Sequence, residues 1–409
     1  MRRRGTQRGI TLVVIAIAMV ALIAMAGLAI DIARLVSDKA RLQSVVDAAA
    51  LTAAKVLDTT GSTVAATAAA NNVFVVNTAN QPDLARAFGR MAIEYSNTVT
   101  PFIPGNGAPL YAQVTAAGYG IFASFSRVLG FNFFILDASA IAGPSPTMNN
   151  ACNMTPMLVC GAAPTPAAPV YGYAVNEITA LQLSAGTPAT LGPGYFLQQN
   201  SGVYSQDQDF AGAYSACSTV GNNDPGQTGA VPTAAADGLD TRFNEYQGDL
   251  NQADYPPDAV VTQPPVGSPD RLTCQAVGTN ACGNVVDGGG TITNSGQYGA
   301  YSYEGMYQPD LQAGNYTNPP APAGNGVVDR RVLAVPVVDC GAAGAGGGNV
   351  PVLGLACMFM LQDVDPVAGQ VFVEVISNCE VNGTPGPVPN NGPGPYSIQL
   401  YHSPFSTQS

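Results

Sequence analysis

Acidic side chains occur in three closely spaced pairs in the second half of the sequence, and carboxylate oxygens are the ligands that calcium prefers. The pairs are Asp207 with Asp209, Asp254 with Asp258, and Asp363 with Asp365. A complete calcium loop supplies further oxygen ligands at fixed positions, and none of the three pairs belongs to such a series. We therefore predict no metal site and interpret these aspartates as solvated surface residues.

The side chains that catalysis commonly requires are scarce. The single histidine, His402, lies near the C-terminal end, so a serine or cysteine triad would depend on a tail residue. Neither Lys39 nor Lys55 belongs to a G-x-x-x-x-G-K-[ST] phosphate loop. The glycine-rich segment 344–349 precedes a predicted strand instead of a helix, which favours a hairpin loop over a dinucleotide site. The sequence therefore predicts no catalytic residue, no cofactor and no small-molecule substrate, and a hydrolase is the least supported function class.

The sequence contains eight cysteines and no C-x-x-C pair, which argues against a metal cluster. They are Cys152, Cys160, Cys217, Cys274, Cys282, Cys340, Cys357 and Cys379. An even number favours four disulfides, with buried free thiols as the alternative. Because loop closure favours near neighbours, Cys152 with Cys160 is the first predicted pair and Cys274 with Cys282 the second. The pairing of the other four is left open.

An uncharged N-terminal run determines where the rest of the chain is located. No ionisable side chain occurs from Ile10 to Ile30, and a helix of this length spans roughly 31 Å, about the hydrocarbon thickness of a bilayer. We predict an uncleaved transmembrane helix, because the apolar region of a signal peptide is shorter, about 7 to 15 residues. The alternative is a cleaved signal with its cut site after Ala24-Met25-Ala26.

Charges on the two sides of this run predict its orientation. The basic residues before the run are Arg2, Arg3, Arg4 and Arg8, whereas the charges just after it nearly cancel. The positive-inside rule therefore places the basic tail, residues 1–9, in the cytoplasm and everything after residue 30 outside it. From Pro144 to the end, 20 acidic residues stand against 4 arginines, a net charge of −16. Such a region repels phosphate backbones, so we predict no nucleic-acid partner.

Apolar residues continue beyond the predicted span at helical spacing. Between positions 28 and 56 they recur at alternating intervals of four and three, with Lys39 as the one exception, so 10–57 is predicted to form one helix of roughly 70 Å. The outer part of this stripe consists of Leu35, Leu42, Val46 and Ala49. We predict that it docks either on a partner helix or on the chain's own domain.

The rest of region 31–143 is predicted to form a small α+β module. Residues 61–99 are compatible with short helices broken by Asn-rich turns and by Pro82. A strand at 110–115, a short helix at 121–129 ended by Gly130, and a β-rich segment at 131–141 follow.

The remaining sequence changes character twice. Residues 144–325 are rich in Gly, Pro and Asn and predict a loop-dominated region stabilised by disulfides. Residues 326–409 contain the apolar runs RVLAVPVV, VPVLGLACMFML and QVFVEVI, which predict the core strands of an antiparallel or mixed sheet. The predicted fold class is membrane-anchored α+β, in which a long N-terminal transmembrane helix continues outward into a β-rich, loop-rich, disulfide-stabilised exported region.

The N-terminal segment resembles that of a known family. Residues 7–54, QRGITLVVIAIAMVALIAMAGLAIDIARLVSDKARLQSVVDAAALTAA, join an apolar span to an acidic residue, a basic residue and an L-Q-x-x-x-D-A-A-A-L helix. The matching positions are Asp31, Arg34, Leu42, Gln43, Asp47, Ala48, Ala49, Ala50 and Leu51. The sequence resembles the TadG-like proteins of the Flp, or tight-adherence (Tad), pilus assembly system, which are single-pass inner-membrane proteins with an exported domain. The segments ACNMTPMLVC, LGPGYFLQQ, DGLDTRFNEY, YPPD and RRVLAVPVVDC are similar to recurring segments of the longer members.

This resemblance implies a function and partners. It implies a bacterial, non-enzymatic inner-membrane protein with a periplasmic or exported bulk, which assists pilus assembly or anchoring and contacts pilus-assembly proteins or pseudopilins through its N-terminal helix. Pseudopilins of that system carry a glutamate five residues after a glycine cut site, and counting from Gly9 this position is Val14. The difference favours an anchored assembly or tip factor over a bulk filament subunit. The alternative is a minor pilus component or adhesin at the cell surface.

Overall fold

The chain folds into two units, each described separately below. The computed structural model describes residues 8–105, 107–183, 196–197, 205–227, 232–276, 282–342, 347–364, 369–385 and 393–401. The first unit consists of Met1–Pro144 and Ile398–Ser409, and the second of Ser145–Ser397. Regions 144–325 and 326–397 thus share one unit, and the last strand of the chain joins the other. His402 and Asp365 lie outside the described residues.

Two helices form one layer of the first unit. Helix α1 (Arg8–Thr60) confirms the predicted continuous helix and, with 53 residues, is about 80 Å long. Helix α2 (Thr63–Ala79) folds back along it after a short turn, and the Ser62 hydroxyl caps its N-terminus by accepting the N–H of Ala65. The prediction of several short helices here was wrong, because α2 buries residues four apart and so continues through its three asparagines. Its buried residues are Ala66, Ala70, Phe74 and Thr78.

A four-stranded antiparallel sheet forms the other layer of the first unit. In sheet order the strands are β1 (Phe88–Ser96), β2 (Tyr111–Phe122), β3 (Phe133–Pro144) and β19 (Ile398–Tyr401). The extended segments at 110–115 and 131–141 are confirmed, whereas β1 was not predicted. The predicted helix at 121–129 was wrong in its first half, because Ile121 and Phe122 complete β2. Only Ser126–Leu129 form a 3-10 turn, which Gly130 ends with a left-handed φ of 92°.

The second unit is built on a seven-stranded mixed sheet. Its strands are β5 (Val159–Cys160), β6 (Ile178–Gln182), β7 (Phe196–Leu197), β9 (Asn223–Gln227), β13 (Val332–Val338), β14 (Gly347–Met360) and β15 (Gln370–Ile376). Antiparallel pairing runs from β13 through β14 and β15 to β6, and β5 is parallel to β13. The three predicted apolar strands and the mixed sheet are confirmed. The predicted glycine loop is shorter than expected, since 347–349 belong to β14.

Both faces of this sheet are buried. On one face Val335, Met358 and Val373 share a core with Leu239 of helix α4 (Pro232–Asp240). On the other face Phe359 packs in a second core that includes residues of the surrounding loops. Burial on both faces explains why the strands read as continuous apolar runs instead of alternating ones.

The other elements of the second unit are short, in keeping with a loop-dominated chain. They are β4 (Met148–Cys152), α3 (Gln206–Gln208), β8 (Cys217–Thr219), β10 (Thr273–Ala276), β11 (Cys282–Asp287), β12 (Gly290–Thr291), α5 (Gln308–Ala313), β16 (Asn378–Glu380), β17 (Asn382–Pro385) and β18 (Gly394–Tyr396). They form the small sheets β17-β4-β8, β10-β11-β12 and β16-β18. Single π-helical turns at Asp209–Ala213 and Tyr303–Tyr307 cover the cores.

The eight cysteines form four disulfides, all in the second unit. The pairs are Cys152–Cys217, Cys160–Cys340, Cys274–Cys282 and Cys357–Cys379. The predicted Cys274–Cys282 pair is confirmed, and the predicted Cys152–Cys160 pair was wrong. Cys152 lies directly opposite Cys217 on paired strands, whereas Cys160 lies in a different sheet. Strand pairing decides which cysteines meet, since the entropy of loop closure grows only slowly with length.

Arg331 is fully buried directly before β13, and each of its five guanidinium hydrogen bonds goes to a backbone carbonyl. The acceptors are the oxygens of Met360 at 3.0 and 2.7 Å, Leu361 at 3.1 Å, Val260 at 3.1 Å and Thr262 at 3.0 Å. The guanidinium also lies between the rings of Phe243 and Phe359, 4.6 and 4.4 Å from their centroids. The backbone N–H of Arg331 donates to the Asp258 carboxylate at 2.7 Å. Three segments that carry the family resemblance, DGLDTRFNEY, YPPD and RRVLAVPVVDC, therefore meet in one buried cluster.

Candidate functional site: the N-terminal helix

The N-terminal part of α1 is apolar and exposed. Nearly every described side chain from 12 to 30 is exposed, with Gly27 the buried exception. This is the one helix within the described parts of the chain that is long and apolar enough to cross a membrane. A continuous exposed apolar surface of this length indicates contact with lipid or with another protein.

The outer part of α1 packs on its own unit. Leu42, Val46 and Ala49 are fully buried in a core that they share with Val114 and other inward-facing residues of the sheet. Leu35 is half-buried at the edge of the same core. Of the two predicted docking modes for this stripe, the structure thus shows the one on the chain's own domain.

Polar residues of the resemblance motif attach α1 to the segments that connect the other elements of the first unit. The Asp31 carboxylate accepts backbone N–H bonds from Phe125 at 3.0 Å and Ser126 at 2.6 Å, and a further bond from the Ser126 hydroxyl at 2.6 Å. One turn later, Arg34 forms an ion pair with Asp83 at 2.7 Å. These partners lie 49 to 95 residues away in sequence, so the spacing of residues within the helix could not reveal them.

Gln43 adds a second attachment farther along α1. Its Nε2 donates to the carbonyl oxygen of Ser139 at 3.0 Å and to the Asp47 carboxylate at 2.7 Å. The acidic, basic and L-Q-x-x-x-D positions of the motif therefore have a common role. They fix the position of α1, along its own axis, relative to the rest of the first unit.

The interpretation of the paired aspartates as surface residues was wrong for Asp209, Asp258 and Asp363, which are buried. It is confirmed for Asp254, which is exposed, and Asp207 is intermediate. Asp258 is fully buried and accepts the Tyr307 hydroxyl bond at 2.9 Å, while Asp363 pairs with Arg271 at 2.7 Å. Asp209 is 1% exposed, and among the described residues neither of its carboxylate oxygens has a hydrogen-bond partner. Within the described ranges, no group of three or more His, Cys, Asp or Glu side chains is arranged to hold a metal ion.

Burial changes the protonation of several of these carboxyls. Desolvation raises the pKa of Asp240 to about 8 and the pKa of Glu374 to about 7. It also raises the pKa of Asp209 to about 6, with a further contribution from the charge of Asp207. All three carboxyls therefore bind protons more readily in the folded than in the unfolded chain.

We predict that the second unit loses stability as the pH rises. A carboxyl whose pKa is raised in the folded state stabilises the fold while it is protonated. This contribution is complete below the ordinary pKa of 3.8 for Asp or 4.5 for Glu, and it is lost as the pH rises through the folded-state values of about 6 to 8. The thermal unfolding temperature of the full chain in detergent, followed by circular dichroism, should therefore be higher at about pH 5 than at about pH 8.

Asp240→Asn is the matched variant for this prediction. The asparagine oxygen can still accept the Val364 N–H bond, which is 2.7 Å long in the structure, but it carries no charge at any pH. The loss of stability on raising the pH should be smaller in this variant. An equal loss in the variant and the unaltered chain would contradict the role assigned to Asp240.

An open groove of about 580 Å³ lies in the first unit beside the start of α2. Its lining includes Thr63, Thr67, Glu94 and Tyr95 together with prolines and glycines of the neighbouring loop. The Thr67 hydroxyl is hydrogen-bonded to the Tyr95 hydroxyl at 2.9 Å. Among the described residues of the lining, Glu94 is the one carboxylate.

Comparisons with known proteins give one match, and it falls on α1. The family model described as Tad, putative Flp pilus-assembly TadE/G-like, matches residues 9–56. The match covers the exposed apolar part of the helix, the Asp31 and Gln43 attachments and the buried stripe, and it supports the TadG-like resemblance. No curated protein and no solved structure matches the chain.

Proposed function

We propose that this chain, which carries a TadE/G-like segment at residues 9–56, is a non-enzymatic single-pass inner-membrane protein that assists assembly or anchoring of a Flp/Tad pilus. In this arrangement residues 1–9 are cytoplasmic, Ile10 to Ile30 cross the membrane, and the bulk of the chain is periplasmic. The observation that carries the proposal is that the matched segment coincides with α1, whose first part is exposed and apolar.

The membrane-spanning part of α1 is the surface that we assign to partners. The outer stripe of Leu42, Val46 and Ala49 is already covered by the chain's own sheet, so it has no surface to offer to a second helix. Exposed apolar side chains from 12 to 30 are free to contact other spanning helices within the bilayer. We therefore assign contacts with pilus-assembly proteins or pseudopilins to this segment.

The topology can be tested by cysteine labelling. Ser44 is exposed on the outer part of α1, so Ser44→Cys should react with a membrane-impermeant maleimide in cells whose outer membrane has been opened. Thr6→Cys, in the predicted cytoplasmic tail, should react only after lysis. Protection of Ser44→Cys in unlysed cells would contradict the proposed orientation.

The pilus role is tested by deletion and fractionation. Deleting the gene should abolish or strongly reduce Flp/Tad pili, and the full chain should restore them and be recovered with the inner membrane. Normal piliation without the protein would contradict the proposal. Recovery of the chain mainly in sheared pili would instead support a minor pilus component or adhesin.

A further inference from the structure

Five phenylalanines are exposed at one end of the first unit. Phe122, Phe125 and Phe131 are 53%, 54% and 56% exposed. Phe88 and Phe133 are also exposed, and the Phe88 ring contacts those of Phe122 and Phe133. We call these five residues the phenylalanine collar. Isolated exposed apolar residues are normal on a protein surface, but a contiguous group of large ones marks an interaction site.

Three members of the phenylalanine collar form a ring cluster on the sheet face opposite α1. The Phe88 centroid lies 6.0 Å from that of Phe122 and 5.3 Å from that of Phe133, both in edge-to-face geometry. Along β3 the exposed residues alternate with Leu136 and Ala138, which share the core with α1. The ring cluster therefore packs on itself and presents its outer surface away from the core.

The other two members lie in the β2–β3 connection, which is attached directly to α1. The Asp31 carboxylate holds the backbone N–H groups of Phe125 and Ser126. A Cβ atom added at Gly27 would lie only 2.9 Å from the Phe125 Cβ. The Phe125 side chain therefore packs directly on the backbone of Gly27, where a larger residue would clash. The connection is thus fixed at the height of residues 27–31, where the apolar run of α1 ends.

The register of β3 along α1 gives the same height independently. Phe134 near the start of β3 lines a small cavity with Asp31 and Leu35, and Ser139 farther along β3 accepts a hydrogen bond from Gln43, so β3 and α1 advance in the same direction. Phe133 precedes Ser139 by six residues, roughly 20 Å along a strand, which corresponds to about 13 helical residues. Counted back from Gln43, Phe133 is level with about position 30 along the α1 axis, the last residue of the predicted span, on the far face of the sheet.

We propose that the phenylalanine collar inserts into the periplasmic surface of the lipid bilayer that α1 crosses. This inference rests on the proposed function, because it takes Ile10 to Ile30 as the membrane span. Aromatic and aliphatic side chains on monotopic surfaces penetrate about 5–10 Å into the boundary between headgroups and acyl chains. Arg127 is exposed in the same connection, where it can contact lipid phosphates.

Insertion at two places would fix the orientation of the first unit. A single spanning helix leaves a domain free to rotate and tilt relative to the bilayer, whereas a second contact beside the helix removes that freedom. The hydrogen bonds of Asp31 and Gln43 then have a function in this arrangement, which is to fix the position of the sheet along the α1 axis. A shift of one helical turn would withdraw the phenylalanine collar from lipid.

The chain contains no tryptophan, so a single introduced tryptophan reports on its own surroundings. We would reconstitute the full-length variants Phe125→Trp and Phe131→Trp in phosphatidylglycerol–phosphatidylethanolamine vesicles with acyl chains brominated near the headgroup. Ile17→Trp reports on the span. Val64→Trp, exposed at the start of α2 and about 45 Å along α1 from the span, is the matched distant control.

We expect bromine to quench the fluorescence of Ile17→Trp, Phe125→Trp and Phe131→Trp by about half or more, and to leave that of Val64→Trp unchanged. Quenching at position 17 without quenching at 125 and 131 would overturn this inference and leave the membrane anchor standing. No quenching at position 17 would overturn the anchor and the inference with it. Equal quenching at position 64 would show unspecific adsorption of the unit and would also overturn the inference.

Discussion

Replacing Arg331 by lysine should unfold the second unit at physiological temperature, although the positive charge is retained. The guanidinium uses all five of its N–H donors on four backbone carbonyls, and lysine offers three donors from a single atom. Each buried carbonyl that loses its partner costs about 1–3 kcal/mol. Loss of the flat cation between Phe243 and Phe359 adds to this. The sum is on the order of 5 kcal/mol, comparable to the whole stability of a typical domain.

Arg271→Lys is the control with the same chemical change. Arg271 is half-buried and forms one ion pair with Asp363, which a lysine can also make. Two further guanidinium bonds are long ones, to the carbonyl oxygens of Pro264 at 3.3 Å and Asp363 at 3.4 Å. Because two long hydrogen bonds are lost instead of most of a five-bond set, we expect this variant to lose about 1–2 kcal/mol, well below the loss in Arg331→Lys. Urea unfolding of the full chain in detergent, together with limited proteolysis, would compare the two. Similar midpoints for Arg331→Lys and the unaltered chain would show that the buried cluster is dispensable.

The strongly periodic parts of this fold were predictable from the sequence. Helix α1 carries an unbroken apolar run followed by a helical stripe, and β13, β14 and β15 are apolar on both faces. Strand β1 was missed because its burial is only partial and its sequence, FGRMAIEYS, contains few β-branched residues. Helix α2 was predicted in pieces because packing on α1 outweighs the weak helix propensity of its asparagines.

Features that depend on distant partners could not be predicted. Cys160 pairs with Cys340 across 180 residues, and the position of each is set by strand pairing. Asp258 looked like a surface residue because its partner Arg331 lies 73 residues later. The position of the phenylalanine collar along α1 likewise depends on the hydrogen bonds between Asp31 and the β2–β3 connection. Local spacing predicted the elements, and long-range hydrogen bonds determine how they are placed.

The double variant Leu42→Asp, Val46→Asp should unfold the first unit while leaving the spanning part of α1 unaltered. Both side chains are fully buried in the core between α1 and the sheet. Losing a large apolar side chain from a core costs about 2–5 kcal/mol, and burying a carboxylate without a partner costs several more. We expect limited proteolysis of membrane vesicles to cut the first unit rapidly and hydrogen exchange to show that the sheet has lost its protection.

Val36→Asp with Ser44→Asp introduces the same two charges at exposed positions of the same helix, and this control should keep the protease resistance of the unaltered chain. The comparison separates the two docking modes of the outer stripe. If the stripe docked on a partner helix instead of on its own sheet, the buried double variant would stay folded and protease-resistant and would lose only its pili. Because the structure places Leu42 and Val46 under the chain's own sheet, we expect the unit to unfold first and piliation to be lost as a consequence.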